Sequence, residues 1–299
     1  MEQKLREALT AGQQLLKSRG VESARLECEL LLAHILGIKR HQIYLDEAET
    51  FSPEHMQIFD KLIQRRLKGE PLQYILGCWE FMGLPFKVDM RVLIPRWETE
   101  CLVDAILKEA RRRDSLVHIL DLGTGSGAIA VSLAHYLPQA KVTAVDNQKG
   151  ALEAAKENAE LNGAAHRIEF IHGDMFAPLA LPGSHNKFDI IVSNPPYIPT
   201  EEIGLLMKEV RDYEPVTALD GGVDGLDYYR QIAGEAGNYL KEDGFVAMEM
   251  GAGQSQSIRK IFLESERGWQ SFELIQDPAG IDRIAIVYKR QGVCTCWRN

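Results

Sequence analysis

Two short stretches carry residue types that can do chemistry. The first is Asn194-Pro195-Pro196-Tyr197, directly after the apolar run Phe188–Ser193. Pro-Pro cannot belong to a central strand, so the chain turns sharply at a strand end. An NH2 group conjugated to a carbonyl or a heteroaromatic ring is a poor nucleophile, because its lone pair is delocalised. It also offers two N–H donors. The side-chain oxygen of Asn194 and the backbone oxygen of Pro195 can accept both, push electron density toward the nitrogen and aim it at an in-line electrophile. Positioning then supplies most of the rate. Tyr197 can stack on the planar group. The same acceptors reject a carboxylate, which would leave buried groups unpaired at about 1–3 kcal/mol each. Adenine N6, cytosine N4 and a glutamine amide all satisfy this chemistry, and none of them requires a metal or a basic side chain here.

The second stretch is Gly123-Thr124-Gly125-Ser126-Gly127, between an apolar strand and a helix. Glycines there permit positive φ and close approach of a ligand to the backbone. Gly123-x-Gly125-x-x-Ala128 satisfies the dinucleotide fingerprint, with Asp146 at the distance expected for a ribose contact. Two features favour S-adenosylmethionine instead. Asp121 stands just before the loop, where a carboxylate can meet the cationic amino group of methionine but would repel a pyrophosphate. Gly173-Asp174-Met175-Phe176 closes the third strand, placed to flank an adenine with one polar and one apolar side chain. Ser126 has no G-x-S-x-G elbow around it, which excludes a hydrolase of that type. The eight histidines lack metal spacing, so no metal site is expected, and His118 reads as a core residue.

These residues need a scaffold, and the apolar periodicity describes it. Residues 1 to about 75 read as helices, with Leu5, Leu9, Leu15 and Leu16, then Leu26, Leu30, Leu31, Ile35 and Leu36, then Met56, Phe59, Leu62, Ile63 and Leu67 at helical spacing. Ser52-Pro53 opens the last helix with a cap residue and a proline at the first helical position. Phe86 to Val92 alternates apolar and charged residues, as a half-buried strand does. From Thr99 onward helices and near-continuous apolar strands alternate, which means a parallel sheet covered on both faces. The expected strands are Val117–Leu122, Lys141–Asp146, Arg167–Ile171, Lys187–Ser193 and Gly244–Met250, with closing strands near 272–276 and 283–289 forming an antiparallel edge. Ligands sit at the C-terminal strand ends of such sheets. The expected fold is therefore α/β, with a mostly parallel Rossmann-like sheet. The expected organisation is a helical domain over 1–77, a linking hairpin over 78–94, a catalytic domain over 95–290 and a tail over 291–299.

Composition narrows the class. Of 299 residues, 45% are hydrophobic and 26% charged, which excludes collagen-like, disordered and coiled-coil chains. The net charge of -9 is opposite to the balance of a duplex-binding protein. Arg111-Arg112-Arg113 is the one basic cluster and reads as a solvated helix end. No run of 18 apolar residues is present, so no membrane span is expected, and the N-terminus lacks the apolar core of a secretory signal. Five cysteines without C-x-x-C fit neither a disulfide framework nor a zinc ribbon, and Cys294-Thr-Cys296 reads as a frayed tail. A reduced, cytoplasmic protein is expected.

With these residues in view, the chain resembles the bacterial protein-(glutamine-N5) methyltransferases that act on peptide chain release factors. The resemblance covers nearly the whole length. Glu70–Gly77 looks like the family's interdomain segment. Phe81–Phe86, Val92–Arg96 and Glu98-Thr99-Glu100 look like its hairpin and its entry into the catalytic domain. Asp121–Gly127 matches its cofactor loop and Asn194–Tyr197 its catalytic motif. Glu214-Pro215, Ala218-Leu219 and Gly222-x-Asp224-Gly225 look like its post-catalytic loop. Met175 stands where the family often has an aromatic residue, and Trp97 replaces a usual proline. The resemblance implies a seven-stranded class I methyltransferase fold with a helical N-terminal domain, and that domain is expected to dock the body of the protein substrate, since a lone tripeptide offers little binding area. It implies the glutamine of the Gly-Gly-Gln loop of release factors 1 and 2 as the methyl acceptor, held by Asn194–Tyr197. By position, Asp121, Gly123–Gly127, Asp146, Asp174, Met175 and Asn194 would contact S-adenosylmethionine, leaving S-adenosylhomocysteine as product. The alternatives are glutamine methylation of ribosomal protein L3, whose enzymes share both motifs, and N6-adenine methylation of nucleic acid, which needs a flipped base and a basic channel.

Overall fold

The computed structural model describes residues 2–44, 51–111, 116–180, 187–265 and 267–289. The expectations for the Arg112-Arg113 part of the basic cluster and for Cys294-Thr-Cys296 lie outside those residues. The chain sorts into two units. One is Met1–Cys78 with Met207–Tyr213, and the other is Trp79–Leu206 with Glu214–Asn299.

The first unit begins with the helices α1 (Glu2–Ser18), α2 (Ala24–Leu36), α3 (Pro53–Leu67) and α4 (Leu72–Leu76). Leu5, Leu16, Leu31, Leu32, Phe59 and Ile63 form its buried core, while Leu15 and Leu26, also at helical spacing, face solvent. Ser52 caps α3 as the sequence implies. Its Oγ accepts from His55 N, and His55 Nδ1 accepts from Ser52 N, so a histidine takes the place of the usual Glu or Gln in a capping box. The nearly buried Arg66 of α3 donates to Glu27 of α2 at 2.6 Å, which leaves neither charge unpaired.

The second unit opens with a hairpin of β1 (Cys78–Phe81) and β2 (Leu84–Lys87). Its two-residue turn has positive φ at both Met82 and Gly83, the geometry that matches strand twist. Met82 is held there from both sides: its N–H donates to Glu100 at 2.6 Å, and its carbonyl accepts from the Tyr136 hydroxyl at 2.6 Å. The strand expected to run on through Val92 ends at Lys87 instead. Asp89 Oδ1 accepts from Arg91 N at 2.9 Å and Asp89 O accepts from Val92 N, so a side-chain turn replaces the ladder. Val88 and Val92 are still buried, but Met90 is exposed.

The chain then alternates through α5 (Trp97–Ala110), β3 (Val117–Leu122), α6 (Ala128–Tyr136), β4 (Ala140–Asp146), α7 (Lys149–Leu161), β5 (Ile168–His172) and β6 (Phe188–Ser193). It passes through α8 (Lys208–Tyr213), which belongs to the first unit, and returns through α9 (Asp227–Tyr239), β7 (Leu240–Glu249), α10 (Ser255–Glu264), β8 (Trp269–Gln276) and β9 (Asp282–Lys289). The seven strands run in the order β5-β4-β3-β6-β7-β9-β8. The first five are parallel, and β9 is antiparallel to both of its neighbours. All six residues of β6 are buried, as a central parallel strand requires. One core cluster joins the hairpin's Phe81 and Phe86 to α5 and α6, and another joins Tyr229 and Ile232 of α9 to Phe262 and Trp269. The strand order reverses between β3 and β6, so the C-terminal ends of those two strands define where a ligand crevice opens.

Candidate active site

The parallel register of β3 and β6 sets Leu122 beside Ser193, and Ser193 Oγ donates to Leu122 O at 2.8 Å. Gly123 and Asn194 therefore leave the sheet side by side. In the next pair Asp146 stands beside His172, so Gly173–Met175 emerges next to Asp146. A cleft open to solvent lies over these strand ends. Of the residues singled out from the sequence, Gly123, Thr124, Gly125, Ser126, Asp146, Asp174, Met175, Asn194, Pro195 and Pro196 line it. Asp121, Gly127 and Tyr197 do not.

Each of these three has another place. Asp121 is fully buried, and burial pushes its carboxyl up to about 7 despite the hydrogen bond from Thr124. Thr124 Oγ1 donates to its Oδ2 at 2.7 Å, while Oδ1 has no partner. Gly127 is a packing glycine: at φ +80°, an added Cβ would lie 3.1 Å from Ala155 Cβ of α7. Tyr197 is partly buried against the α9 core, and burial raises its phenol to about 12.

The glycine loop is tethered by side chains. Asp146 accepts from Gly125 N through Oδ2 and from Gln148 N through Oδ1, both at 2.8 Å. Burial raises the Asp146 pKa while those two N–H groups hold it down. Asn158 of α7, fully buried, donates to Ser126 O at 2.9 Å and to Lys87 O at 3.0 Å, and accepts from Lys87 N at 2.7 Å. One asparagine thus ties β2 to the loop. Across the cleft Met175 adopts a left-handed backbone with φ 45°, a costly conformation of the kind found at ligand-binding walls.

The Asn194–Tyr197 motif is positioned by contacts from distant parts of the chain. Asn194 Nδ2 donates to Thr99 Oγ1 at 3.1 Å, and Thr99 Oγ1 donates to Glu249 Oε2 at 2.6 Å. Burial pushes Glu249 up to about 7. Tyr197 O accepts from Gln254 Nε2 at 2.9 Å, and Ile198 exchanges backbone hydrogen bonds with Leu219 and Gly221. Gly225 passes so near Tyr197 O that any side-chain carbon there would strike it. The 219–225 segment is thereby clamped onto the motif. Arg96 lines the cleft and pairs with the buried Glu214, which also accepts from Ile94 N at 3.3 Å. Trp97, in place of the proline, occupies the first position of α5 and is exposed. Proline and most other residues are tolerated there, so the helix start is kept.

Thr99, Glu249 and Asn158 received no role from the sequence. Two of them had a signal: Glu249 is a lone acid in the apolar strand Phe245–Met250, and Asn158 interrupts the alanine face of α7. Thr99 lies inside the Glu98-Thr99-Glu100 segment, where nothing local marks it. Among the described residues no group of three or more His, Cys, Asp or Glu side chains could hold a metal, and no helix is long and apolar enough to cross a membrane.

Comparison with known proteins matches this architecture piece by piece. Residues 7–77 match the family described as PrmC N-terminal domain, and residues 113–278 match the family described as Methyltransferase domain. The release factor glutamine methyltransferase of Geobacter sulfurreducens is 46% identical over 269 residues, covering 90% of this chain and 91% of that protein. The one of Moorella thermoacetica is 42% identical over 287 residues, covering 96% and 99%. Among solved structures, the N-terminal domain of human METTL16 in complex with SAH shares the fold, with a TM-score of 0.50 at 18% identity over 69% of this chain and 76% of that one. A seven-stranded methyltransferase sheet, a matching N-terminal helical region and this identity over nine-tenths of the length together place the chain: it belongs to the release factor glutamine methyltransferase family.

Proposed function

We propose that this chain transfers a methyl group from S-adenosylmethionine to the side-chain amide nitrogen, N5, of the glutamine in the Gly-Gly-Gln loop of release factors 1 and 2. The observation that carries the reading is the state of Asn194. Its NH2 end is committed to Thr99, which leaves Oδ1 as the acceptor at the cleft, beside the glycine loop. A substrate amide NH2 needs such an acceptor.

The residues present fit the cofactor. Asp121 Oδ1 is an orphaned buried carboxylate oxygen behind the loop, matched to a nearby ammonium group. A Cβ built on Gly123 or Gly125 would meet nothing within 4 Å, so that space is free for a ligand. In this reading Asp146 meets the ribose, and Asp174 and Met175 flank the adenine; all three line the cleft. When bound, S-adenosylmethionine supplies an electrophilic methyl group on a sulfonium.

The chain's own residues then prepare the nucleophile. Asn194 Oδ1 and Pro195 O accept the two N–H bonds of the substrate amide, draw electron density onto its nitrogen and fix its plane. Pro196 gives the sharp turn that exposes both acceptors. Tyr197 follows the turn, packed against the α9 core behind the cleft wall, and is read as the aromatic neighbour of the amide. The helical unit docks the body of the release factor, since a tripeptide alone offers little binding area. A cytoplasmic location follows from a substrate that works in translation.

The test uses purified protein, labelled S-adenosylmethionine, release factor 1 and the same factor with its Gly-Gly-Gln glutamine replaced. Label is expected on the first and none on the second. Equal labelling of both, or none on either, overturns the substrate assignment, and ribosomal protein L3 and nucleic acid are then assayed in that order. Asn194→Ala is expected to abolish turnover while cofactor binding survives.

A further inference from the structure

The Asn194–Thr99–Glu249 chain has a directional property that goes beyond holding a side chain still. Thr99 has one hydroxyl proton. When Glu249 is ionised it can only accept, so that proton goes to Oε2, at 2.6 Å. The Thr99 oxygen is then limited to accepting, and the group of Asn194 that can donate to it is the NH2, at 3.1 Å. Oδ1 is left for the cleft. When Glu249 is protonated on Oε2, the oxygen that faces Thr99, it donates instead. Thr99 then accepts from Glu249 and turns its proton toward Asn194, which satisfies it by presenting Oδ1 inward. The amide end left at the cleft becomes NH2, a donor facing the donors of the substrate.

We propose that Thr99 and Glu249 are positioning residues that set which end of the Asn194 amide faces the substrate, and that the protonation state of Glu249 switches the site between an accepting form and a non-accepting one. This rests on the assignment of Asn194 as acceptor for the substrate amide. The surroundings suit a group poised to titrate. Glu249 sits at the end of β7, nearly fully buried. Glu98 and Cys101 of α5 face it, with Arg96 just before that helix, and so do Tyr197 after β6, Tyr229 of α9 and Arg283 of β9. Burial dominates; the hydrogen bond from Thr99 and the two arginines oppose it while Glu98 adds to it, which brings the carboxyl to about 7. Arg283 is itself committed to Asp277 at 3.2 Å, so among the described residues no cation is ion-paired with Glu249. Glu249→Gln and Thr99→Val are the informative variants: the first removes the titration, the second cuts the chain while keeping the shape.

The experiment is the pH profile of kcat on release factor 1, between pH 5.5 and 8.5 at saturating cofactor, together with the side-chain 15N–1H signal of Asn194 in the cofactor-free protein. That signal is assigned by its loss in Asn194→Ala. In the unmodified protein, kcat is expected to fall on the acid side of an inflection near neutrality, and the Asn194 signal to shift along the same curve. Thr99→Val is expected to lower kcat roughly 10- to 100-fold, the cost of one buried donor left unpaired. It should also flatten both the profile and the NMR titration. Thr99→Ser, which keeps the hydroxyl, restores the acid limb. Glu249→Gln abolishes the limb, and cofactor affinity stays within a factor of about three in all three variants. An acid limb or an Asn194 titration that survives in Thr99→Val or Glu249→Gln overturns the inference, as does a flat profile in the unmodified protein. Full turnover by Asn194→Ala instead overturns the assignment of Asn194 on which the inference rests.

Discussion

Gly125 and Gly127 lie two residues apart, both with positive φ, yet the structure assigns them opposite jobs, and alanine substitutions at the two sites separate those jobs. At Gly125 (φ +56°) a new Cβ meets nothing within 4 Å, and the residue lines the cleft. The folded state loses only the left-handed penalty, about 1–2 kcal/mol. The added methyl occupies space needed by the ligand, so the cofactor Kd is expected to rise by at least about tenfold, or ~1.4 kcal/mol. At Gly127 (φ +80°) the new Cβ lies 3.1 Å from Ala155 Cβ, 3.2 Å from Ala155 Cα and 3.3 Å from Val131 Cγ2. One of these contacts is backbone and none is the far end of a flexible side chain, so α7 must give by a few tenths of an ångström. Overpacking of about 1–3 kcal/mol then adds to the same left-handed penalty, for about 2–5 kcal/mol in total. The assay pairs urea unfolding with calorimetric titration of S-adenosylmethionine. Gly127→Ala should be the less stable protein, and Gly125→Ala the weaker binder relative to its stability. Wild-type cofactor affinity in Gly125→Ala, or a greater loss of stability there than in Gly127→Ala, refutes the division of labour.

Two further outcomes follow from buried polar groups. Asp121 titrates near 7 in the folded chain, against an ordinary aspartate value of 3.8. Between those values the folded state holds a proton that the unfolded chain has released, so stability falls as pH rises through that window. From pH 5 to 8 the loss is about 3 kcal/mol. Asp121→Asn should lose correspondingly less over that range in urea unfolding without cofactor, and an unchanged pH slope would show that the carboxyl is not the source. Asn158→Ala leaves Lys87 N, Lys87 O and Ser126 O without their buried partner, which should lower stability by about 2–4 kcal/mol. Hydrogen exchange should accelerate at both the hairpin and the glycine loop, whereas protection lost at one alone would argue against a shared tether.

Much of the architecture was readable because it is written in short periods. The strands Val117–Leu122 and Phe188–Ser193 are mostly apolar stretches of six, and α7, with its alanine face, ends at Asn162-Gly163. The reading failed where a side chain competed with the backbone ladder. The alternation from Phe86 to Val92 is a strand pattern, but Asp89 captures the N–H of Arg91 and ends the pairing at Lys87. Burial of Val88 and Val92 alone could not reveal this, because a turn buries alternate residues as well as a strand does. The seven residues Met207–Tyr213 group with the N-terminal unit although they lie deep in the second half of the chain.

The candidate site divides in the same way. Local residue order determined the two motifs, Gly123–Gly127 and Asn194–Tyr197, and the chemistry each can do, because glycine conformational freedom and amide hydrogen bonding belong to residue types. The parallel pairing of β3 with β6 brought the two motifs together, and it depends on a sheet whose strand order differs from the chain order. What faces Asn194 was decided only by the tertiary structure. Thr99 and Glu249 are 150 residues apart in sequence and 2.6 Å apart at their oxygens. No periodicity or spacing rule reaches across that separation, because the contact is made by packing α5 onto β7, and the direction of a hydrogen bond has meaning only once both partners are in place.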